Sequence, residues 1–263
     1  MRFSVSSSSL SNRLQTISRV QSSKNALPIL DCILFELEGG VLKMTASDSE
    51  TTMTTTVEVT DSEGGGKFAI GAKQLISSIK EISEQPIVFT IDQNTFAVEI
   101  NYQNGKYNLI GQNGYEYPVP SAMNGFSRSV PIDSQVTFNG INRCLFAAAD
   151  DELRPQMNGI YFDMTTENIT FVASDGHKLV RNRMFSARAD EASAFILPKK
   201  PALLLKTVLP KAEGDAIVRF DDRNAEIQLT DYVISCRLIE GRYPNYNSVI
   251  PTDNPFRVTA DRL

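Results

Sequence analysis

The chain reads as an α+β protein made of two copies of one domain, each with two helices packed on antiparallel sheets. Three observations predict this. Ala46-Ser47-Asp48 recurs as Ala173-Ser174-Asp175, and its surroundings recur at the same offset of 127. Pro28 then falls on Pro155, Ile33 on Ile160, Phe35 on Phe162, Glu36 on Asp163, Phe68 on Phe195 and Lys73 on Lys200. The offset drifts to 130 at Asp92 and Asn94 against Asp222 and Asn224, and to 126 at Tyr117-Pro118 against Tyr243-Pro244, as loop insertions would make it. Each copy also runs strand, helix, several strands, second helix and more strands. Finally, 263 residues with 41% hydrophobic and 22% charged side chains fit two globular domains, each with its own core.

The elements follow in order. Phe3 and Val5 alternate as a short strand, and Leu10, Leu14 and Ile17 continue at helical spacing over 9–20. Stretches 29–37, 41–46 and 52–59 alternate as strands, with Gly39-Gly40 as the first turn. Leu75, Ile76, Ile79 and Ile82 share one face of a helix over 73–82, and 87–91, 96–101 and 107–110 close the first copy as strands. In the second copy Val136 and Phe138 are read as the opening strand, with Ile141, Leu145 and Ala148 on the helix after it. Lys200 to Leu209 is the second helix, with Pro201 in its first turn; 217–220, 226–230 and 233–238 are the closing strands. The spacing of Phe3, Val5 and Leu10 returns at Phe256, Val258 and Leu263, 253 positions later. The expected domains are therefore 1–122 and 126–252, with 253–263 as the first strand and helix start of a third whose remainder is absent. Proline-flanked linkers are expected over 118–125 and 251–255.

Charge is sorted by element. The net charge is −5, yet the four helices and their ends hold 10 of 26 basic residues and one of 31 acidic ones, Glu81. Surface helices ordinarily mix both signs. Acid depletion in all four points to a polyanion held through its backbone. Cys32, Cys144 and Cys236 are odd in number and do not occupy equivalent repeat positions, which predicts free thiols. No apolar run is long enough for a membrane span, and the N-terminus lacks a signal-peptide core.

The motifs that could carry catalysis are weak. Gly64-Gly65-Gly66-Lys67 is followed by Phe68 where a phosphate loop needs serine or threonine, so a turn is expected. Asp150-Asp151 and Asp221-Asp222 lack metal-loop spacing and read as solvated loops. The only histidine, His177, lies two residues from Asp175 with no nucleophile elbow. The residues thus leave two function classes, a non-catalytic protein that holds a polyanion and an enzyme with a polar site around His177.

Several motifs together carry a family resemblance. Leu27-Pro28-Ile29-Leu30, Asn158-Gly159, Ser174-Asp175-Gly176-His177-Lys178-Leu179 and Glu240-Gly241-Arg242-Tyr243-Pro244-Asn245-Tyr246, on a repeat of this length, closely resemble the bacterial DNA sliding clamp family, the beta subunit of DNA polymerase III. The resemblance spans the whole chain and implies the DNA-clamp fold, with helices lining a ring around duplex DNA. It implies a cytoplasmic processivity factor with no catalytic residue, cofactor or metal, active in DNA replication. The implied partners are double-stranded DNA without sequence preference, the replicative polymerase, the clamp loader and other clients, with a homodimer when full length. Arg154, Met157, Ser174, Gly176, His177, Leu179, Pro244 and Val249 match the pocket for client motifs. Lys24, Lys73, Lys80, Lys199 and Lys200 match DNA-facing positions.

Overall fold

The computed structural model describes residues 1–22, 24–118, 123 and 127–261. The N-terminal half begins with β1 (Arg2–Ser6) and α1 (Ser7–Ile17), which a 3-10 turn extends over Ser18–Val20. Then come β2 (Cys32–Glu38), β3 (Val41–Ser47), β4 (Thr51–Glu58), β5 (Thr60–Glu63) and β6 (Gly66–Gly71). α2 (Ala72–Lys80), β7 (Pro86–Ile91), β8 (Ala97–Tyr102) and β9 (Gly105–Asn113) complete it. The second half repeats the order, without a counterpart of β5 among the described residues: β10 (Arg128–Asp133), α3 (Ser134–Cys144), β11 (Gly159–Met164), β12 (Ile169–Ser174), β13 (Leu179–Met184) and β14 (Ser193–Pro198). α4 (Lys199–Val208), β15 (Asp215–Phe220), β16 (Asn224–Gln228) and β17 (Tyr232–Arg237) close it.

The strands pair antiparallel in a 13-stranded sheet and a four-stranded sheet, β13-β12-β11-β14. Repeated residues do repeated work. Phe35 pairs with Phe68 across β2–β6 and their rings stack at 5.1 Å; Phe162 and Phe195 do the same across β11–β14 at 4.6 Å. These aromatics, with Phe171 and Phe220 in the second half, join the sheets into one continuous core.

Two expectations need correction. Val136 and Phe138 lie inside α3, and the opening strand of the second copy is β10, with Val130 and Ile132 turned inward. Asp133 ends that strand because its carboxylate accepts the Val136 N–H and caps the helix. Val130 and Ile132 lie 127 positions after Phe3 and Val5, so the repeat extends further upstream than the apolar matches alone suggested. The second concerns only the strand expected within 253–263. No strand forms among the described residues there, and Phe256 and Val258 are exposed. β1 is held by β7 and β5, and no strand among the described residues is placed to do that for Phe256 and Val258. Leu263 and most of the stretch 118–125 lie outside the described residues.

The halves join edge to edge. β17 pairs with β4 from Tyr232 against Thr55 to Cys236 against Thr51, so one sheet runs through the junction. Ion pairs hold it: Arg13 of α1 donates to Asp231 at 2.9 Å and lies over the Tyr232 ring, and Lys200 of α4 reaches Asp48 in the β3–β4 turn. Asp48 is nearly buried, so its pair with Lys200 is expected to couple more strongly than a free surface pair. A double-mutant cycle of Asp48→Asn and Lys200→Met, read by chemical denaturation, should give a coupling energy of about 1 kcal/mol. Strictly additive effects would remove the pair from the junction.

Candidate nucleic-acid and peptide interfaces

The helices form one connected layer. α1 packs on α2, α3 on α4, and α4 on the 3-10 turn that extends α1. None of the four contains an aspartate or glutamate, and none has an acid in its first turn, where one would favour the helix dipole. Their inward faces are apolar: Leu10, Leu14 and Ile17 on α1, Leu75 and Ile79 on α2, Ile141 on α3, Leu204 and Leu205 on α4. Their outward positions include Lys73, Lys80, Arg143 and Lys206, all exposed, with Arg19 and Lys24 beyond the end of α1.

The five predicted DNA-facing lysines divide here. Lys24, Lys73 and Lys80 are exposed and make no ion pair among the described residues. Lys199 is bound to Asp150 at 2.6 Å and Lys200 to Asp48, so both ammonium groups already have carboxylate partners. The sequence could have hinted at this only through the acids of Asp48 and of the 150–151 loop, since the pairs join residues 152 and 49 apart.

Of the predicted client positions, Arg154, Ser174, Gly176, His177 and Leu179 meet at the turn that follows β12. Ser174 is buried; its hydroxyl donates to the Lys178 carbonyl and accepts the Gly176 N–H. Asp175 accepts the His177 and Lys178 amides and is ion-paired with Lys178, which together hold its carboxyl far below the usual range. The segment is therefore a tight turn and not a continuing strand, and His177 is exposed, its imidazole making no hydrogen bond to Asp175 among the described residues. Gly176 has φ +89°, and a Cβ there would lie 2.8 Å from the Arg154 guanidinium. That close approach seats Arg154 on the turn, its Nε held by Asp151 at 2.8 Å. Met157 is buried, while Pro244 and Val249 are exposed.

Leu179 leads into an apolar cluster on the outer face of the four-stranded sheet, formed by Val172, Ile196, Tyr243 and Tyr246 with Tyr161 packed against them. Tyr161 stacks on Tyr243 at 4.8 Å, and the Tyr246 hydroxyl donates to Asp163 at 2.7 Å. Sequence reasoning missed Tyr161, Tyr246 and Ile196. The arrangement recurs in the first half, where Tyr117, the counterpart of Tyr243, is likewise buried in a small outer-face cluster.

Burial pushes the Tyr243 phenol up to about 12, and burial with the Asp163 bond does the same for Tyr246. The Tyr243 hydroxyl faces the Ser174 backbone without a well-formed hydrogen bond among the described residues. A raised phenol favours the neutral form in the fold, so its stability contribution is complete below about pH 10 and is lost as pH rises towards 12. Tyr243→Phe removes an unsatisfied buried polar group. It should leave neutral-pH stability unchanged or higher and should reduce the alkaline loss, as read by denaturation between those limits. A clear loss of stability at neutral pH would contradict this.

Comparison with known proteins places the arrangement. Residues 1–121 match the family described as DNA polymerase III beta subunit, N-terminal domain, and residues 131–245 match its central domain. The beta sliding clamp of Haemophilus influenzae is 27% identical over 256 residues, covering 95% of this chain and 68% of that protein. The crystal structure of the sliding clamp of Bartonella birtlesii bound to griselimycin is 25% identical with a TM-score of 0.87, covering 97% of this chain and 69% of that one. The Caulobacter crescentus clamp, with PEG in its putative beta-motif tethering region, aligns at a TM-score of 0.89 and 22% identity, over 97% of this chain and 69% of its own. With both family regions in order and the duplicated sheet-and-helix geometry they describe, the chain belongs to the DNA polymerase III beta-subunit family, the bacterial sliding clamps.

Proposed function

We infer that this chain is the processivity clamp of DNA polymerase III, a non-catalytic subunit that holds duplex DNA against its helix layer and tethers polymerase through a peptide site. The observation that carries the DNA half is the acid-free helix layer in a chain whose net charge is −5. Exposed lysine and arginine on such a layer attract the phosphate backbone by field and counterion release, with no base readout, so the contact is compatible with sliding. Lys24, Lys73 and Lys80, with the outward Arg143 and Lys206, are the DNA-facing residues of this reading. Lys199 and Lys200 belong to it only as the ends of ion pairs that phosphate would have to displace.

The junction supports a ring. β4 and β17 meet between the halves, and their repeat counterparts, β13 and the Gly105–Ile110 part of β9, each keep one edge unpaired among the described residues. A head-to-tail contact repeated through such edges closes into a ring when the rotation permits. On this reading 1–122 and 126–252 are clamp domains, 253–263 begins a third, and the full-length subunit is a cytoplasmic homodimer engaged by a clamp loader. An enzymatic reading around His177 has little support, because the Asp175 carboxylate is occupied by two amides and Lys178.

The peptide half rests on Arg154, Met157, Ser174, Gly176, His177, Leu179, Pro244 and Val249, of which Leu179 packs against the tyrosine-lined apolar cluster. Leu179 is its partly buried edge and is expected to act as an anchor. Leu179→Ala should cost on the order of 1–2 kcal/mol of affinity for a labelled client-type peptide, and His177→Ala should cost less. Equal affinity for the wild type and Leu179→Ala, with both folded, would put the site elsewhere.

A further inference from the structure

A groove of about 1240 Å³ opens on the outer face where the two halves meet. Its floor is Leu34, Thr45, Thr52, Thr54 and Val233, from β2, β3, β4 and β17. Ser49, Glu50, Thr52, Pro118 and Met123 also line it. At the repeat offsets of 127 and 126 these five are the counterparts of Gly176, His177, Leu179, Pro244 and Val249. The correspondence extends to backbone shape, since Ser49 has φ +81° where Gly176 has +89°. The groove is therefore the first-half version of the surface read above as the peptide site. Its far wall, from β15 to β17, comes from the following half of the same chain.

Its chemistry differs from that of its counterpart. Threonine replaces Leu179 and glutamate replaces His177, so the groove is more polar and carries an added acid. Most of its charges are occupied: Glu36 by Lys43 and Lys67, Arg219 by Glu226, and Arg223 by Glu240. Glu50, Asp222 and Arg237 have no ion-pair partner among the described residues, which leaves the accessible charge acidic by one. The Thr45 and Thr54 hydroxyls, 3.1 Å apart, add hydrogen-bonding capacity to an otherwise short apolar floor.

We propose that this groove is a second peptide site, which takes an extended segment bearing arginine or lysine beside a small aliphatic residue. The basic side chains meet Glu50 and Asp222, and the aliphatic one lies over Thr52 and Val233 against Met123. The proposal rests on reading the Leu179 surface as a peptide site, because the repeat carries that architecture across. Methyl-resolved NMR of the chain separates the two. The probes are an acetylated, amidated Gly-Arg-Val-Arg-Gly peptide, its Gly-Glu-Val-Glu-Gly analogue and an apolar client-type peptide.

The arginine peptide should shift the Thr52, Met123 and Val233 methyls and leave those of Leu179 and Val249 in place. The combined Glu50→Gln and Asp222→Asn variant should weaken it about threefold, as suits two exposed charge contacts. No shift of those methyls by the arginine peptide at about 1 mM would overturn the proposal, since binding weaker than that is not a usable site. Equal binding of the glutamate analogue, or unchanged affinity in the double variant, would overturn it as well. The client-type peptide reports separately on Leu179 and Val249, so failure there with success at Met123 would sink the earlier reading and leave this one standing.

Discussion

Reversing Lys24, Lys80, Arg143 and Lys206 to glutamate should reduce non-specific duplex affinity at low salt by orders of magnitude. All four are exposed, and none has an ion-pair partner among the described residues. Each phosphate contact contributes about 0.9 to the slope of log affinity against log salt, so losing four should flatten the slope by about 3.6. The sheet lysine Lys43 and the sheet arginine Arg219 are already bound to Glu36 and Glu226, and reversing them should leave the slope nearly unchanged. Fluorescence anisotropy over a salt series reads both sets. A slope that falls equally in both would mean that binding follows total charge and not the helix layer.

The second large effect is on stability. Phe162 is almost fully buried and touches Phe195 face to face at 4.6 Å and Phe171 edge to face at 4.7 Å; Phe195 in turn meets Phe220 on β15 at 4.7 Å. The ring thus ties the four-stranded sheet to the long sheet. Phe162→Ala should cost about 3–5 kcal/mol, because the facing rings are held by separate strands and cannot collapse into the void. Phe185→Ala, at an exposed phenylalanine, should cost a small fraction of that. Comparable losses in denaturation for the two would show that the aromatic cluster does not hold the sheets together.

The duplication was legible in the sequence because repeated core positions must keep their size and register. Phe35 with Phe68 and Phe162 with Phe195 are therefore cross-strand pairs in the structure. The acid-free helices were legible for a similar reason, since composition survives without knowledge of contacts. What escaped detection was set by contact across the chain. β5, Thr60-Asp61-Ser62-Glu63, is fully exposed and held mainly by β1, so it has no apolar alternation to betray it. Val136 and Phe138 alternate like a strand, but both are half-buried on α3, and the cap at Asp133 decides the element. Lys199 and Lys200 look free in sequence and are paired in space. In the peptide site the turn residues were found from their motif. The tyrosines that build the surface beside them were not, because Tyr161, Tyr243 and Tyr246 meet only after the 239–250 segment lies across the sheet.

Site-specific photocrosslinking to duplex DNA tests most directly whether the helix layer is the DNA face. A photoreactive side chain would be placed in turn at Lys80, Arg143 and Lys206 on the helices, and at Lys43, Thr56 and Arg219 on the sheets. At moderate salt the three helix positions should crosslink to duplexes of unrelated sequence with similar yield, and the three sheet positions should not. Crosslinks confined to the sheet positions, or helix crosslinks that depend on one duplex sequence, would contradict the account.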